Sequence, residues 1–86
     1  MVEKRVTVML AEGLHARPAT EFAELAGRQS VQVTIRKEGS SPQRADSVLG
    51  LMMLGAAHGD EVVLSAEGED AQHAIAQLAP LLDGAS

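Results

Sequence analysis

The sequence predicts an α+β domain in which one antiparallel sheet carries its helices on a single face. Three observations point there. Short stretches of apolar–polar alternation mark strands, stretches with apolar residues every three or four positions mark helices, and together they follow the order β-α-β-β-α-β-α. Antiparallel strands with one wet face alternate in this way, whereas strands buried in a parallel sheet read as continuous apolar runs. At 86 residues the chain is expected to be one domain, spanning 1–86, with a two-layer core.

Arg5 to Leu10 alternates, with Val6, Val8 and Leu10 on one side, and reads as the first strand. Gly13 then offers a positive φ for the turn. From Pro18 the period lengthens: Ala19, Phe22, Ala23 and Ala26 form one stripe, Pro18 suits a first helical turn, and Gly27 marks the stop. Val31, Val33 and Ile35 alternate with Gln32, Thr34 and Arg36 as the second strand. After "KEGSSP", a short third strand falls near Gln43–Ala45, and Pro42 puts it at a sheet edge. Ser47 can cap a short helix over 48–54, closed by Gly55. "AAHGDE" reads as a loop and Glu61–Ala66 as the last strand. The final helix begins after Asp70, a candidate N-cap, and buries Ala71, Ala74, Ile75, Leu78 and Leu82. Pro80 should bend it or end it early. The element order does not fix the strand order, and a ferredoxin-like arrangement fits as well.

Composition excludes several functions. Seven basic against 12 acidic residues give a net charge of −5, a poor match to nucleic acid. The single aromatic residue, Phe22, leaves no stacking platform for single strands. No cysteine is present, so disulfides and thiolate metal sites are out. The longest apolar stretch, "VLGLMMLGAA" (48–57), is too short to span a membrane, and the start "MVEKRVTVML" has no apolar signal core. The expectation is a cytoplasmic domain without membrane insertion.

"GLHARPA" (13–19) carries the chemistry. The free N–H groups of a helix's first turn carry partial positive charge and make an anion site. His15 and Ala16 sit at or just before that end, so the backbone N–H groups of Ala16 and Arg17 face an anion on the ring. Arg17 adds a guanidinium fork matched to phosphate oxygens. Attack of a ring nitrogen on phosphorus would give a phosphohistidine. No metal and no cofactor are required. His58 lies in a loop and His73 faces away from the last helix's stripe. With no cleft, lid or second base, such a site would accept and release a group while its partners activate that group. A solvated loop histidine is the plainer alternative that residue types alone leave open.

"GLHARPAT" (13–20) resembles the active-site signature of the HPr family, the histidine-containing phosphocarriers of the bacterial phosphoenolpyruvate:sugar phosphotransferase system (PTS). "DSVLGLMMLGAAHGDEV" (46–62) is similar to the family's second signature, and "SAEGEDAQHAIAQL" (65–78) to its last strand-to-helix passage. The resemblance implies an open-faced sandwich, with a four-stranded antiparallel sheet in order 1-4-2-3 under three helices. It implies phosphorylation of His15 on Nδ1, the pros nitrogen, with Arg17 assisting. Enzyme I would be the donor and enzyme IIA domains of sugar permeases the acceptors, which makes the chain a carrier and not an enzyme. A monomer is the simpler expectation for a shuttle.

In the short helix, Val48, Leu51 and Leu54 can pack inward, leaving Leu49, Met52 and Met53 partly outside. Flexible, polarizable side chains suit a surface that meets several partners. The resemblance puts Val48, Leu49 and Met52 at the centre of a shared docking surface. Ser47 matches a position that some members have phosphorylated by a serine kinase, which would also bring a transcriptional regulator among the partners. An N-cap explains the serine equally, and Asp46 stands where regulated members carry a basic residue. Glu12 departs from the pattern too, and could repel phosphate or pair with Arg17. The main alternative is a regulatory HPr-like binding module, of the nitrogen-related PTS branch or of catabolite control. Relatives that only bind lose the histidine that is retained here, whereas the nitrogen-regulatory branch keeps it and stays open. An acylphosphatase-like hydrolase would want an asparagine to place water, and the chain has none.

Overall fold

The computed structural model describes residues 1–84. It contains β1 (Val2–Thr7), α1 (Ala16–Gly27), β2 (Val33–Lys37), β3 (Gln43–Arg44), α2 (Val48–Leu54), β4 (Glu61–Ala66) and α3 (Ala71–Asp83). The four strands form one antiparallel sheet in the order β1-β4-β2-β3. Pairing therefore chooses the open-faced order over the ferredoxin-like one. No helix among the described residues is long and apolar enough to cross a membrane.

Register explains which residues form the core. Val6 lies opposite Val62, and Ile35 opposite Leu64, so their side chains share the face that the helices cover. α3 packs on β1 and β4, α2 packs on β2 and β3, and α1 lies against both other helices. Phe22, Leu51, Leu78 and Leu82 fill the space between the layers and are essentially inaccessible. The opposite face carries no helix, yet Val63 is buried there. Its cross-strand neighbours are Arg5 and Arg36, whose aliphatic stems account for the screening.

Pairing partners, and not alternation, set the strand ends. β1 begins at Val2 and stops at Thr7, because β4 offers partners only for that span. Past it, Val8 N–H donates to Asp60 O at 2.8 Å and Met9 N–H to Leu82 O at 2.8 Å. β2 starts at Val33, opposite Ala66, and leaves Val31 outside the ladder. β3 covers only Gln43 and Arg44 and lies at the sheet edge, the position that Pro42 favours.

Three helix ends differ from expectation. α1 ends at Gly27, but the cap is Arg28 in a right-handed conformation, so no left-handed glycine closes it. Asp70 occupies the position before α3 without capping it; its Oδ2 accepts from Ser30 Oγ at 2.6 Å instead. Pro80 does not end α3, which runs to Asp83. An interior proline costs about 3 kcal/mol. Full burial of Leu82, two residues further on, contributes about 1.5–3 kcal/mol and offsets much of that cost.

Candidate functional site

The loop from Leu10 to His15 is folded by its own backbone. Gly13 N–H donates to Leu10 O at 3.0 Å, and His15 N–H donates to Gly13 O at 3.0 Å. Gly13 turns with φ +73°, in the left-handed region that a Cβ disfavours. It also lies so close to the loop after α2 that a Cβ would sit 2.5 Å from Ala56 O. Between them, Leu14 N–H donates to that same Ala56 O at 3.0 Å, and the Leu14 side chain is buried. The loop is thus pinned to the core on one side of His15.

His15 is the N-cap residue of α1, with φ −81° and ψ −176°, and its side chain makes no capping hydrogen bond. The ring is consequently exposed to solvent and not enclosed by hydrocarbon. Its carbonyl accepts Ala19 N–H at 2.8 Å, closing the first turn, and Pro18 has no N–H to satisfy. Two first-turn donors remain without a partner among the described residues, the N–H groups of Ala16 and Arg17. No acidic residue occupies that turn to neutralise them. Arg17 is exposed and, among the described residues, has no carboxylate partner. His15, Ala16, Arg17, Pro18 and Glu12 line one shallow depression. The Glu12–Arg17 ion pair that the sequence allows is not formed. An anion held at the ring would meet two backbone donors and a free guanidinium.

α2 lies beside this site. His15, Glu12 and Leu14 line a groove whose other wall is Met52, Gly55, Ala56 and Ala57. Leu51 is buried, whereas Leu49 is 69% exposed, Met53 70%, Met52 47% and Val48 36%. Val48 therefore turns outward instead of filling the core with Leu51 and Leu54. Four apolar side chains of α2 are thus turned outward, and one of them, Met52, shares a groove with His15. His58 and His73 are exposed elsewhere and line neither depression.

Ser47 caps α2, accepting Gly50 N–H on its Oγ at 3.0 Å. Gly55 closes the helix in the left-handed region at φ +68°. Asp46 is engaged by a two-pronged contact from Arg44, with Nε at 3.0 Å from Oδ1 and Nη2 at 2.9 Å from Oδ2. The hydrogen bond from Arg44 holds the Asp46 carboxyl below its ordinary range. A depressed carboxyl adds stability that is complete above the unfolded-state pKa and is lost as pH falls through the folded-state value. Arg44→Ala should accordingly be less stable than the parent in urea at pH 7, with the difference closing below about pH 4. A difference that persisted in strong acid would show that Arg44 acts through packing.

Nothing in the sequence marks the support beneath the His15 loop. "AAHGDE" reads as an ordinary connection, yet Ala56 is the residue on which Gly13 and Leu14 rest. Glycines in the two loops, Gly13 and Gly55, are the nearest signal, but only the assembled sheet brings those loops together.

A family described as the PTS HPr component phosphorylation site matches residues 2–83. The phosphocarrier protein HPr of Streptomyces coelicolor is 48% identical over 82 residues, covering 95% of this chain and 88% of that one. Among solved structures, the phosphocarrier protein HPr of Bacillus anthracis aligns with a TM-score of 0.88 at 38% identity, over 94% of this chain and 95% of that one. The Bacillus subtilis protein Crh, described as a dimer with a swapped domain, aligns with a TM-score of 0.72 at 43% identity, over 94% and 92%.

Proposed function

Because the chain belongs to the HPr family of the phosphotransferase system, we propose that it carries phosphoryl groups on His15 from enzyme I to enzyme IIA domains. The observation that supports this reading is the exposed ring beside two unpartnered N–H groups and the free guanidinium of Arg17. The Nδ1 lone pair forms the new N–P bond while the bond between phosphorus and the donor breaks. Backbone donors and Arg17 balance the charge of the equatorial oxygens during transfer. Solvent exposure serves release: an acceptor reaches the phosphorus without any lid having to open. The chain supplies the perch, and the partners supply activation.

The apolar face of α2 supports docking of both partners on one surface, with Met52 in the groove beside the ring and Val48 and Leu49 exposed on the same short helix. Leu49→Glu should raise KM for phosphorylated enzyme I about tenfold, the scale of a central interface anchor. Its unfolding free energy should move by no more than about 0.5 kcal/mol, because the side chain points into water. An unchanged KM would remove Leu49 from the interface.

The likeness to Crh favours a second reading, a regulatory module that acts by binding. Retention of His15 and Arg17 supports the carrier. A phosphate on Ser47 would be tolerated at the start of α2 and would add charge beside the docking face. We take the carrier to act as a monomer in the cytoplasm, the simpler state for a shuttle that must meet several partners in turn. Incubation with enzyme I and labelled phosphoenolpyruvate tests the proposal. One acid-labile, base-stable phosphate per chain is expected, and absence of label would leave the regulatory reading standing.

A further inference from the structure

Resting on the carrier reading, we propose that Lys37 and Asp60 are positioning residues for phosphoryl transfer, forming a latch that holds the 55–60 loop under His15. The latch is built on one carboxylate oxygen. Asp60 Oδ2 accepts Ala57 N–H at 2.9 Å and lies 3.2 Å from Lys37 Nζ. Lys37 Nζ also donates to Gly55 O, at 3.4 Å, where α2 ends. Asp60 N–H returns to Ala57 O at 3.0 Å. The connection between α2 and β4 is thereby clamped near both ends.

What the clamp fixes is Ala56. Its carbonyl accepts Leu14 N–H, and Gly13 approaches it too closely for a side chain to fit between. Leu14 is followed directly by His15, so a shift of Ala56 passes to the ring through one peptide unit. Isolated surface ion pairs contribute little, and Lys37 and Asp60 are each about a third exposed, at 35% and 36%. The contribution here comes from geometry: the carboxylate occupies the Ala57 N–H and anchors it to β2 through Lys37. The Ala57 N–H and Lys37 also hold the Asp60 carboxyl below its ordinary range, which keeps it ionised at neutral pH. Neither residue lines the depression around His15 or the groove beside α2, so neither meets substrate or partner there.

The test compares Asp60→Ala and Asp60→Asn in the full chain. Leu14 N–H should exchange with deuterium about tenfold faster in Asp60→Ala, beyond any change at Leu64 in the centre of the sheet, as local opening requires. Turnover for phosphoryl acceptance should fall about fivefold at unchanged KM for enzyme I, the signature of a misplaced acceptor. Asp60→Asn, which retains an acceptor for Ala57 N–H, should recover most of both. Equal acceleration at Leu14 and Leu64 would mean general destabilisation and would overturn the latch, as would a raised KM with turnover intact. If the parent chain accepted no phosphate, the carrier reading would fall, and the exchange comparison would still decide whether the latch exists.

Discussion

His15→Ala is expected to take up no phosphate from phosphorylated enzyme I while folding as the parent does. Loss of base-stable label should be complete, because no second imidazole stands at the α1 entrance, and the Glu12 carboxylate in the same depression could give only a base-labile acyl phosphate. Asp, Glu and Lys are absent from residues 13–18, and Arg17 has no nucleophilic lone pair at neutral pH. The unchanged fold follows from the same geometry. The His15 side chain is exposed and caps nothing, while its backbone bonds to Gly13 and Ala19 survive the substitution. Unfolding free energies should therefore agree to within about 0.5 kcal/mol. Arg17→Ala gives the graded contrast: the nucleophile remains and one charge is lost, so transfer should slow by roughly 10- to 1,000-fold without stopping. Label retained on His15→Ala would place the acceptor elsewhere in the molecule.

Gly13→Ala should damage both stability and transfer. Two costs add. Placing alanine at φ +73° costs about 1–2 kcal/mol. The new methyl would also stand 2.5 Å from Ala56 O and 3.0 Å from Ala57 Cα, both backbone atoms that cannot swing aside. Relief requires the two loops to part, which breaks the Leu14–Ala56 hydrogen bond, worth about 1 kcal/mol. A total loss of about 2–3 kcal/mol in urea unfolding is expected. Gly39→Ala is the control. Its φ is +82°, but no heavy atom lies within 4 Å of the added Cβ, so only the conformational cost applies. Equal losses for the two variants would show that the contact with Ala56 imposes nothing.

Local rules account for much of the fold. Alternation at Val33 and Ile35, the stripe from Ala19 to Ala26, and Ser47 followed by an apolar run each depend on near neighbours, so each is legible in order along the chain. Pro18 and Gly13 flanking His15 are legible for the same reason, since capping and turn chemistry act within a few residues. Pro80 shows where such rules stop. Taken with its neighbours alone it breaks a helix, yet α3 runs on to Asp83, with burial of Leu82 offsetting much of the cost. The strand starts at Val2 and Val33 likewise belong to β4, which lies far away in sequence.

By itself the sequence determined the elements, their order and the residues at the α1 entrance. Only tertiary structure decided that α2 stands beside His15, that Val48 turns outward, and that Ala56 carries the weight of the active loop. Those features rest on contacts between residues far apart in the chain, such as Leu14 N–H and Ala56 O. Periodicity records which face of an element is apolar. It holds no information about which element that face will meet, because burial is non-directional and only the assembled sheet selects the partner.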